Sequence, residues 1–407
     1  MGYRTDVFKG ISWMGLLRGS TRAITFVRLA ILARILTPAQ FGVFGIASLM
    51  LSFLEIITET GINIFLIQEK RDIKEYINSA WMVSILRGIL ISILLFGLAP
   101  FIVDFFNSPE SERVIYIIAF VPLIRGFINP SIIYIQKEIQ FHKEFYLRFI
   151  LFAVDASVAV FVAFVTRSAE SFAYGLIASA FLEVILSFAF FKPRPKLFFE
   201  LDKMKYIVSR GWWVTLTGMF AYLSDNGDNL AVGKIMGSSS LGLYQVAYKL
   251  STLPITEVTD VVNKVVFPVY SKFSDDRGRL LRAFSKVTLL SSLVASAVGI
   301  FIFVFAENIT LIILGKEWLG AVPAIRILSF YGILRTVFGN FAPLFLSLGR
   351  QDYVAKMTLF RVAALALTIV PLTTAYGLAG AGLSALISIA VEMPIALFLF
   401  RRLFRKQ

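Results

Sequence analysis

The stretch Phe41-Gly42-Val43-Phe44-Gly45-Ile46-Ala47 returns 200 residues later as Leu241-Gly242-Leu243-Tyr244-Gln245-Val246-Ala247. Each copy follows a short polar connector, and each connector follows a long apolar segment. A second echo lies near the end of each half, at Ala173-Tyr174-Gly175-Leu176 and Ala375-Tyr376-Gly377-Leu378. A chain made of two related apolar halves is typical of secondary transporters, which bind their substrates at the interface of the repeats.

The composition indicates an integral membrane protein. Of the 407 residues, 57% are hydrophobic and the mean hydropathy is +0.78, whereas a soluble domain has about 45–50% apolar residues. The absence of cysteine excludes disulfides and thiolate metal sites, and the single histidine, His142, excludes the usual histidine-built zinc centres. We therefore expect no metal and no other cofactor beyond a coupling Na⁺ or H⁺.

Twelve apolar segments are long enough to cross about 30 Å of hydrocarbon. They lie near 11–36, 41–67, 77–104, 114–135, 146–165, 171–191, 206–233, 241–270, 284–306, 321–348, 353–375 and 378–400. The pattern predicts an all-α membrane protein with about twelve transmembrane helices in two pseudo-symmetric six-helix lobes. The predicted lobes are 1–191 and 206–407, joined by a cytoplasmic linker at 192–205.

The basic residues are distributed unevenly between the connectors. Connectors on the side of the N-terminus carry 24 Lys and Arg residues, and those on the other side carry four. Because basic residues accumulate on the cytoplasmic side, this split predicts that both termini are cytoplasmic and that the number of spans is even. The outer connectors are too short to fold into a domain.

Charges inside the apolar segments are costly, so each one calls for a partner, water or an interface. The connector 37–40 places Arg18 level with Glu59, and Arg22 level with Glu55, in an antiparallel hairpin. The spacing therefore predicts two ion pairs between the first two helices. Arg28 has no partner of matching depth.

The excess of arginine within the spans favours a hydrated cationic cavity that binds phosphate or pyrophosphate, since guanidinium matches those oxygens in a fork. The alternative is that these arginines form internal ion pairs or reach the membrane interface. The predicted cavity residues are Arg18, Arg22, Arg28, Arg125, Arg210 and Arg335, with Glu55 and Glu59 as paired or gating acids. Arg87, Arg326 and Arg361 are further cations that would add to the positive potential of this predicted cavity.

The second half carries an acidic cluster where the first half carries arginines. Asp225, Asn226 and Asp228 in the seventh segment are candidates for binding a coupling Na⁺ or H⁺. The alternative for Asp228 is an ion pair with Lys249, which matches it in depth. Two acids with no partner in the sequence pattern, Asp155 and Glu183, are hypotheses of the same kind.

Several short motifs together resemble one family. They are Leu36-Thr37-Pro38-Ala39-Gln40-Phe41-Gly42, Leu66-Ile67-Gln68, Lys137-Glu138-Ile139-Gln140-Phe141, Asp228-Asn229-Leu230-Ala231-Val232-Gly233, Leu241-Gly242-Leu243-Tyr244, Tyr248-Lys249-Leu250 and Gly315-Lys316-Glu317-Trp318. In order and spacing they resemble the polysaccharide transport (Wzx-like) family, whose members are O-antigen and exopolysaccharide flippases. That family is part of the multidrug/oligosaccharidyl-lipid/polysaccharide (MOP) flippase superfamily.

The resemblance implies two six-helix lobes in a V shape that alternate access across a bacterial or archaeal cytoplasmic membrane. It implies that the substrate is an oligosaccharide joined through pyrophosphate to a polyprenyl lipid, moved from the cytoplasmic to the outer leaflet. Membrane lipids and the polysaccharide polymerase and export machinery are the expected partners. Some relatives have fourteen spans, and this chain has twelve by the segmentation above.

Three other functions are set against this one. A cation-coupled multidrug or metabolite antiporter of the same superfamily would favour an acidic, aromatic cavity without excess arginine. A membrane polysaccharide polymerase or ligase would need a large outer loop with catalytic groups, so we expect a non-enzyme. A passive scaffold for glycosyltransferases would not need duplicated halves. Nucleic-acid binding is not indicated either, because the arginines lie among apolar residues.

Overall fold

The computed structural model describes residues 3–62, 66, 74–138, 140–273 and 276–404, excluding the side chains of 3–12, 14, 136, 141, 206–214, 216–217, 257–265 and 267. The described part is built from helices and connectors, with no strand among its elements. The α-helices are α1 (Tyr3–Ile35), α2 (Pro38–Ile57), α3 (Lys74–Phe106), α4 (Ser111–Ile118), α5 (Phe120–Gly126), α6 (Tyr134–Lys137), α7 (Phe141–Thr166), α8 (Glu170–Phe190), α9 (Leu201–Lys272), α10 (Arg277–Ile313), α11 (Val322–Gly339), α12 (Phe341–Ser347) and α13 (Gln351–Phe404). Two 3₁₀ helices cover Pro130–Ile133 and Lys316–Ala321.

The chain divides into two compact units by packing, Met1–Tyr222 and Leu223–Gln407. The first contains α1 to α8 and the start of α9, and the second contains the rest of α9 and α10 to α13. The predicted linker at 192–205 lies within the first unit, and the predicted lobe boundaries stay a prediction.

The described residues include seven helical segments that are long and apolar enough to cross a membrane. They lie at Pro38–Ile57, Lys74–Phe106, His142–Thr166, Glu170–Phe190, Arg277–Ile313, Lys316–Ser347 and Gln351–Phe404. The long helices α1 and α9 are outside this apolar set, and both carry charges within their lengths. The protein is an all-α, multi-pass membrane protein.

The motif at the first connector is explained by the way α2 begins. Thr37 caps α2 and forms a capping box with Gln40, while Pro38 occupies the first turn. This arrangement satisfies backbone N–H groups that have no partner within the helix. The Gln40 side chain also donates to the carbonyl of Arg167, 2.5 Å away in the connector between α7 and α8.

Glycines with a positive φ interrupt the two longest helices. Gly237 has a φ of 81° inside α9, and Gly377 has a φ of 59° inside α13. Glycine adopts this left-handed region without the steric cost that a Cβ brings. The interruptions confirm the predicted connectors between the seventh and eighth segments and between the eleventh and twelfth.

The two sequence echoes differ in their structural meaning. Phe41 lies four residues after the cap at Thr37, and Leu241 lies four residues after the break at Gly237, and both are buried. The first echo therefore marks the same place in each half. The second does not, because Gly175 lies inside α8 whereas Gly377 is itself a helix break.

The second predicted span, 41–67, is not continuous. Helix α2 ends at Ile57, and Gly61 has a φ of 64°. The physical reason is that polar groups and an arginine from α3 satisfy the carbonyls freed at this end, as the site geometry below shows. Broken helices are tolerated at membrane depth where such partners exist.

The fourth predicted span is also divided, as its Asn129-Pro130 pair suggested. Helix α5 ends at Gly126, and the buried Asn129 caps the following 3₁₀ turn. The Asn129 amide donates to the carbonyls of Phe191 and Pro193 at 3.2 and 3.3 Å. Asn129 therefore connects this turn to the segment that follows α8.

Candidate functional site

Several charged and polar groups meet at the end of α2. Arg87 of α3 donates to the backbone carbonyl of Glu55 and, at 3.0 Å, to the carboxylate of Glu59. Its Nε donates to Thr58 Oγ1 at 3.3 Å. The last carbonyls of a helix have no partner within it, so this guanidinium replaces hydrogen bonds that a continuous helix would make.

The chain beyond α2 is held by further polar contacts. The Glu59 carboxylate accepts a hydrogen bond from the N–H of Gly61 at 3.0 Å. The backbone carbonyl of Glu59 accepts one from Thr215 Oγ1 at 2.6 Å. A helix that breaks at a cluster of charges is the usual way in which transporters build a polar site inside a membrane. The end of α2 is therefore the first part of a candidate site.

A cavity of about 390 Å³ opens next to this break, within the first unit. Three arginines and three glutamates are among its lining residues: Arg87, Arg125, Arg148, Glu55, Glu144 and Glu183. The wall between α3 and α5 is closely packed, because a Cβ on Gly88 would lie 2.4 Å from the Pro122 carbonyl oxygen. The small residue at position 88 thus lets these two elements approach at the cavity wall.

Two ion pairs in the cavity are loose. Arg125 Nη1 lies 3.7 Å from Glu55 Oε1, and Arg148 Nη1 lies 3.4 Å from Glu183 Oε1. Charge-assisted hydrogen bonds between such groups are usually about 2.7–2.9 Å long. Glu55 and Glu183 therefore hold these two guanidinium groups at distances longer than those of close charge-assisted hydrogen bonds.

The ion pairs that the structure gives to Glu55 and Glu59 correct the sequence prediction. These carboxylates contact Arg125 and Arg87, not the depth-matched Arg22 and Arg18. The depth rule considers only the hairpin of the first two helices, whereas α2 also packs against α3 and α4. Arg18 and Arg22 make contacts of their own and lie outside the described lining of the cavity.

The prediction that Arg28 has no partner is wrong. Arg28 Nη1 forms an ion pair with the Asp155 carboxylate of α7, and its guanidinium lies 5.4 Å from the centre of the Phe172 ring on α8. Both charged side chains are largely buried. Asp155 and Glu183, which have no partners in the sequence pattern, are thus the partners of Arg28 and Arg148.

The second unit contains a separate charged cluster. Arg335 lies 3.3 Å from Asp225 and donates to the hydroxyls of Tyr248 and Tyr331 at 2.7 and 3.0 Å. Nearby, Arg361 donates to Ser224 and lies 3.6 Å from Glu392. The predicted cavity residue Arg335 and the predicted ion ligand Asp225 are therefore partners of each other.

Asp228 has different surroundings from Asp225. It is buried and accepts a hydrogen bond from the Tyr244 hydroxyl at 2.9 Å and from the Asn229 amide at 3.0 Å. These neutral donors take the place of the predicted Lys249 ammonium. Asn226 makes other contacts, and the side chain of Arg210 lies outside the described residues.

Arg148 and Glu144 line the cavity although the sequence pattern does not predict them as site residues. Both lie near the start of α7, in a stretch that the distribution of basic residues assigns to a cytoplasmic connector. One feature of the sequence could have indicated Arg148. It lies just before the apolar run of α7, at a depth similar to that of Glu183 near the end of α8.

Comparison with known proteins identifies the family. The family model described as polysaccharide biosynthesis protein matches residues 31–323, which is most of the chain. The chain belongs to the polysaccharide biosynthesis protein family. The match contains α2 to α8, so the broken helix and the charged cavity lie within the region that defines the family.

Three similar proteins are named for the biosynthesis or transport of polysaccharides. The lipopolysaccharide biosynthesis protein WzxC of Escherichia coli is 23% identical, over 89% of this chain and 74% of the relative. The teichuronic acid biosynthesis protein TuaB of Bacillus subtilis is 23% identical, over 85% and 72%. The succinoglycan biosynthesis transport protein ExoT of Rhizobium meliloti is 22% identical, over 88% and 72%.

Solved structures show the fold of this family member. The lipid II flippase MurJ in an inward closed conformation superimposes with a TM-score of 0.79 at 12% identity, covering 95% of this chain and 87% of MurJ. An inward-facing multidrug resistance MATE transporter of the MOP superfamily gives a TM-score of 0.71 at 14% identity, covering 95% and 96%. The chain therefore has the fold of the MOP superfamily, as its sequence motifs predicted.

Proposed function

We propose that this protein moves a lipid-linked oligosaccharide, joined through pyrophosphate to a polyprenyl lipid, from the cytoplasmic to the outer leaflet by alternating access. The observation that carries the proposal is the family match over residues 31–323 on a MOP-type fold. Relatives named for lipopolysaccharide, teichuronic acid and succinoglycan biosynthesis support a saccharide cargo.

The polar cavity of the first unit provides a site for the head of such a substrate. Each hydroxyl that enters hydrocarbon without a hydrogen-bond partner costs several kcal/mol, on the order of 2–7. A polar cavity removes that cost while the prenyl chain stays in the lipid. The pyrophosphate binds Arg125 and Arg148, because their present partners Glu55 and Glu183 are held at long distances.

The direction of movement agrees with the charge of the cargo. An anionic head that moves outward across an inside-negative membrane gains about 2.3 kcal/mol per charge and per 100 mV. An ion gradient therefore adds to transport without being necessary for it. If a Na⁺ or H⁺ is coupled, it binds at Asp225, Asn226 and Asp228, where Asp228 has only neutral donors as described partners.

The protein works in the cytoplasmic membrane with both termini in the cytoplasm, and it delivers its cargo to polymerase and export proteins. No covalent step is part of this function. The excess of basic residues in the connectors on the side of the N-terminus, 24 against four, supports this orientation.

The test is a leaflet assay with the purified full chain in liposomes and a labelled lipid-linked oligosaccharide. Arg125→Ala and Arg148→Ala each remove a charge-assisted contact, so we expect the flipping rate to fall about tenfold or more. Arg282→Ala is the matched control, because Arg282 is exposed and donates to the Gly278 carbonyl of its own helix. The control should flip at the wild-type rate.

Two results would overturn the proposal. One is normal flipping by Arg125→Ala together with Arg148→Ala. The other is a wild-type protein that leaves the labelled saccharide in its original leaflet but exchanges an organic cation for Na⁺ or H⁺, which is the result expected for the cation-coupled antiporter set against this function.

A further inference from the structure

A second cavity, of about 700 Å³, lies in the first unit and is lined by residues of the basic connectors on the side of the N-terminus. Residues of α6, the first turns of α7, the end of α8 and Lys74 of α3 form its walls. It is separate from the charged cavity described above, although Ile135 and Leu147 contribute to both linings. The function proposed above does not use it.

The mouth of this cavity is cationic. Lys74, Lys143 and Lys192 line it together with one acid, Glu138, whose carboxylate accepts from Gln140 Nε2 at 2.5 Å. Lys143 and Lys192 are exposed and form no ion pair with the side chains that the structure describes. Lys143 and Lys192 are therefore two ammonium groups available at the mouth of this cavity.

The interior of the cavity is apolar. Its lining includes Ile135 and Leu147, which form a buried cluster with Leu151, and Leu186 and Phe191, which pack against that cluster. Its outer edge carries Tyr146, Ile150 and Phe190 with 55%, 43% and 74% of their surfaces exposed. A ligand with a charged head and a hydrocarbon tail matches this distribution of charge and apolar surface.

The segment next to the cavity indicates where it lies relative to the membrane. The carbonyl of Pro193 accepts from Asn129 and Ser131, and the N–H of Lys196 donates to Asn78 at 2.9 Å. These bonds hold an extended segment whose next residues, Leu197, Phe198 and Phe199, are 69%, 56% and 64% exposed.

Apolar side chains that project from a segment rich in lysine are typical of a membrane interface. The cavity mouth at Lys192 is therefore at the level of the lipid head groups. A ligand at this level comes from the bilayer.

We propose that this cavity binds an anionic glycerophospholipid of the bilayer, with its phosphate groups among Lys74, Lys143 and Lys192 and its acyl chains along the apolar wall. Lysines act as separate point charges, whereas tight recognition of pyrophosphate uses the planar fork of arginine. Basic pockets between helices on the cytoplasmic side suit lipids such as cardiolipin. The two phosphates of diphosphatidylglycerol match the two exposed ammonium groups of Lys143 and Lys192.

The test measures lipid binding to the purified full chain in detergent by native mass spectrometry and by thermal unfolding. The added lipids are diphosphatidylglycerol, phosphatidylglycerol and phosphatidylcholine at equal concentrations. We expect the two anionic lipids to bind and to raise the melting temperature, and phosphatidylcholine to do neither. Lys143→Ala with Lys192→Ala should weaken binding of the anionic lipids about tenfold or more, since each lysine near a lipid surface contributes about one kcal/mol.

Two further variants separate the site from general effects. Lys272→Ala with Lys286→Ala removes the same charge from exposed positions of the second unit and should bind lipid like the wild type. Lys143→Arg with Lys192→Arg keeps the charges and should also keep the binding, which shows that the positions tolerate change.

Several outcomes would overturn the proposal. One is unchanged lipid selectivity in the double alanine variant, and another is an equal loss in the Lys272 and Lys286 control. An effect of inorganic phosphate as large as that of the lipid would show a bare anion site. Displacement of the phospholipid by undecaprenyl pyrophosphate at lower concentration would assign the cavity to the transported lipid. Failure of the leaflet assay, by contrast, leaves this inference untouched.

Discussion

At the scale of single residues, Arg28 shows how burial changes the meaning of a charge. A lone arginine inside an apolar segment indicates a binding site, because an uncompensated charge is costly in a membrane. The structure gives Arg28 a carboxylate from α7 and an aromatic face from α8. Its first role is therefore to hold α1 against these two helices.

This role leads to a prediction about stability. Arg28→Ala leaves the carboxylate of Asp155 without its cation in a largely buried position, and breaking a buried pair in this way costs about 3–5 kcal/mol. Arg28→Ala with Asp155→Ala removes both charges and should recover much of the loss. Thermal unfolding of the purified variants measures both effects. A double variant as unstable as the sum of the two single variants would contradict the pairing.

Glu55 in α2 and Glu59 just beyond its end show what membrane depth alone can and cannot predict about ion pairs. The sequence indicates that Glu55 and Glu59 need cations, and equal depth in the first hairpin predicts Arg22 and Arg18 as their partners. Their described partners, Arg125 and Arg87, come from α5 and α3. Equal depth restricts the partner of a charge to one level of the membrane. It does not predict which helices pack next to α2, because that depends on the packing of the whole unit.

At the scale of elements, Gly175 allows α7 and α8 to approach each other next to the Arg28 pair. A Cβ at position 175 would lie 2.6 Å from both the carbonyl oxygen and Oδ1 of Asp155. Contacts this short force a shift of the helices. The Asp155 carbonyl oxygen belongs to the backbone of α7, and the Asp155 carboxylate is held by its ion pair with Arg28. The sequence showed this glycine only as part of an echo whose other copy has a different role.

We predict that Gly175→Ala destabilises the protein by about 1–3 kcal/mol, the usual cost of overpacking. Gly97→Ala is the matched control, because a Cβ at position 97 of α3 meets no atom within 4 Å. In an open helical position, alanine is more favourable than glycine by roughly 0.5–1 kcal/mol. Equal melting temperatures for the two variants would show that the close approach at Gly175 is not needed.

The helix breaks differ in how far the sequence could predict them. Gly237 and Gly377 follow from short connectors between two apolar runs, where a turn must occur. The end of α2 lies inside one apolar run, and its break depends on Arg87 as a replacement for backbone hydrogen bonds. Hydropathy carries no information about such a partner, so the second span was predicted as continuous.

At the scale of the whole molecule, the sequence predicts the secondary structure well because the bilayer restricts it so strongly. Backbone groups in hydrocarbon must be satisfied within the segment, so an apolar run of sufficient length forms a helix. The candidate site follows no such rule. Arg148 and Glu144 were assigned to a connector because the count of basic residues averages over stretches and does not locate a single side chain.

The orientation of the chain can be tested directly, because it contains no cysteine and needs no background substitutions. We predict that Glu110→Cys and Lys316→Cys, each exposed in an outer connector, react with a membrane-impermeant thiol reagent in intact cells. Lys196→Cys and Gln351→Cys, exposed on the basic side, should react only after the membrane is permeabilised. The four positions sample both halves of the chain.

The positions 110 and 316 are separated by six of the predicted segments, so an even number of crossings places them on one side. Labelling of these two from opposite sides would mean that one predicted segment between them does not cross. Labelling of positions 196 and 351 in intact cells would instead reverse the whole orientation, since the excess of 24 basic residues against four would then face outward. In that case the cationic cavity at Lys192 would also open to the outer leaflet, and its basic lining would lie on the side of the membrane where lysine and arginine are usually scarce.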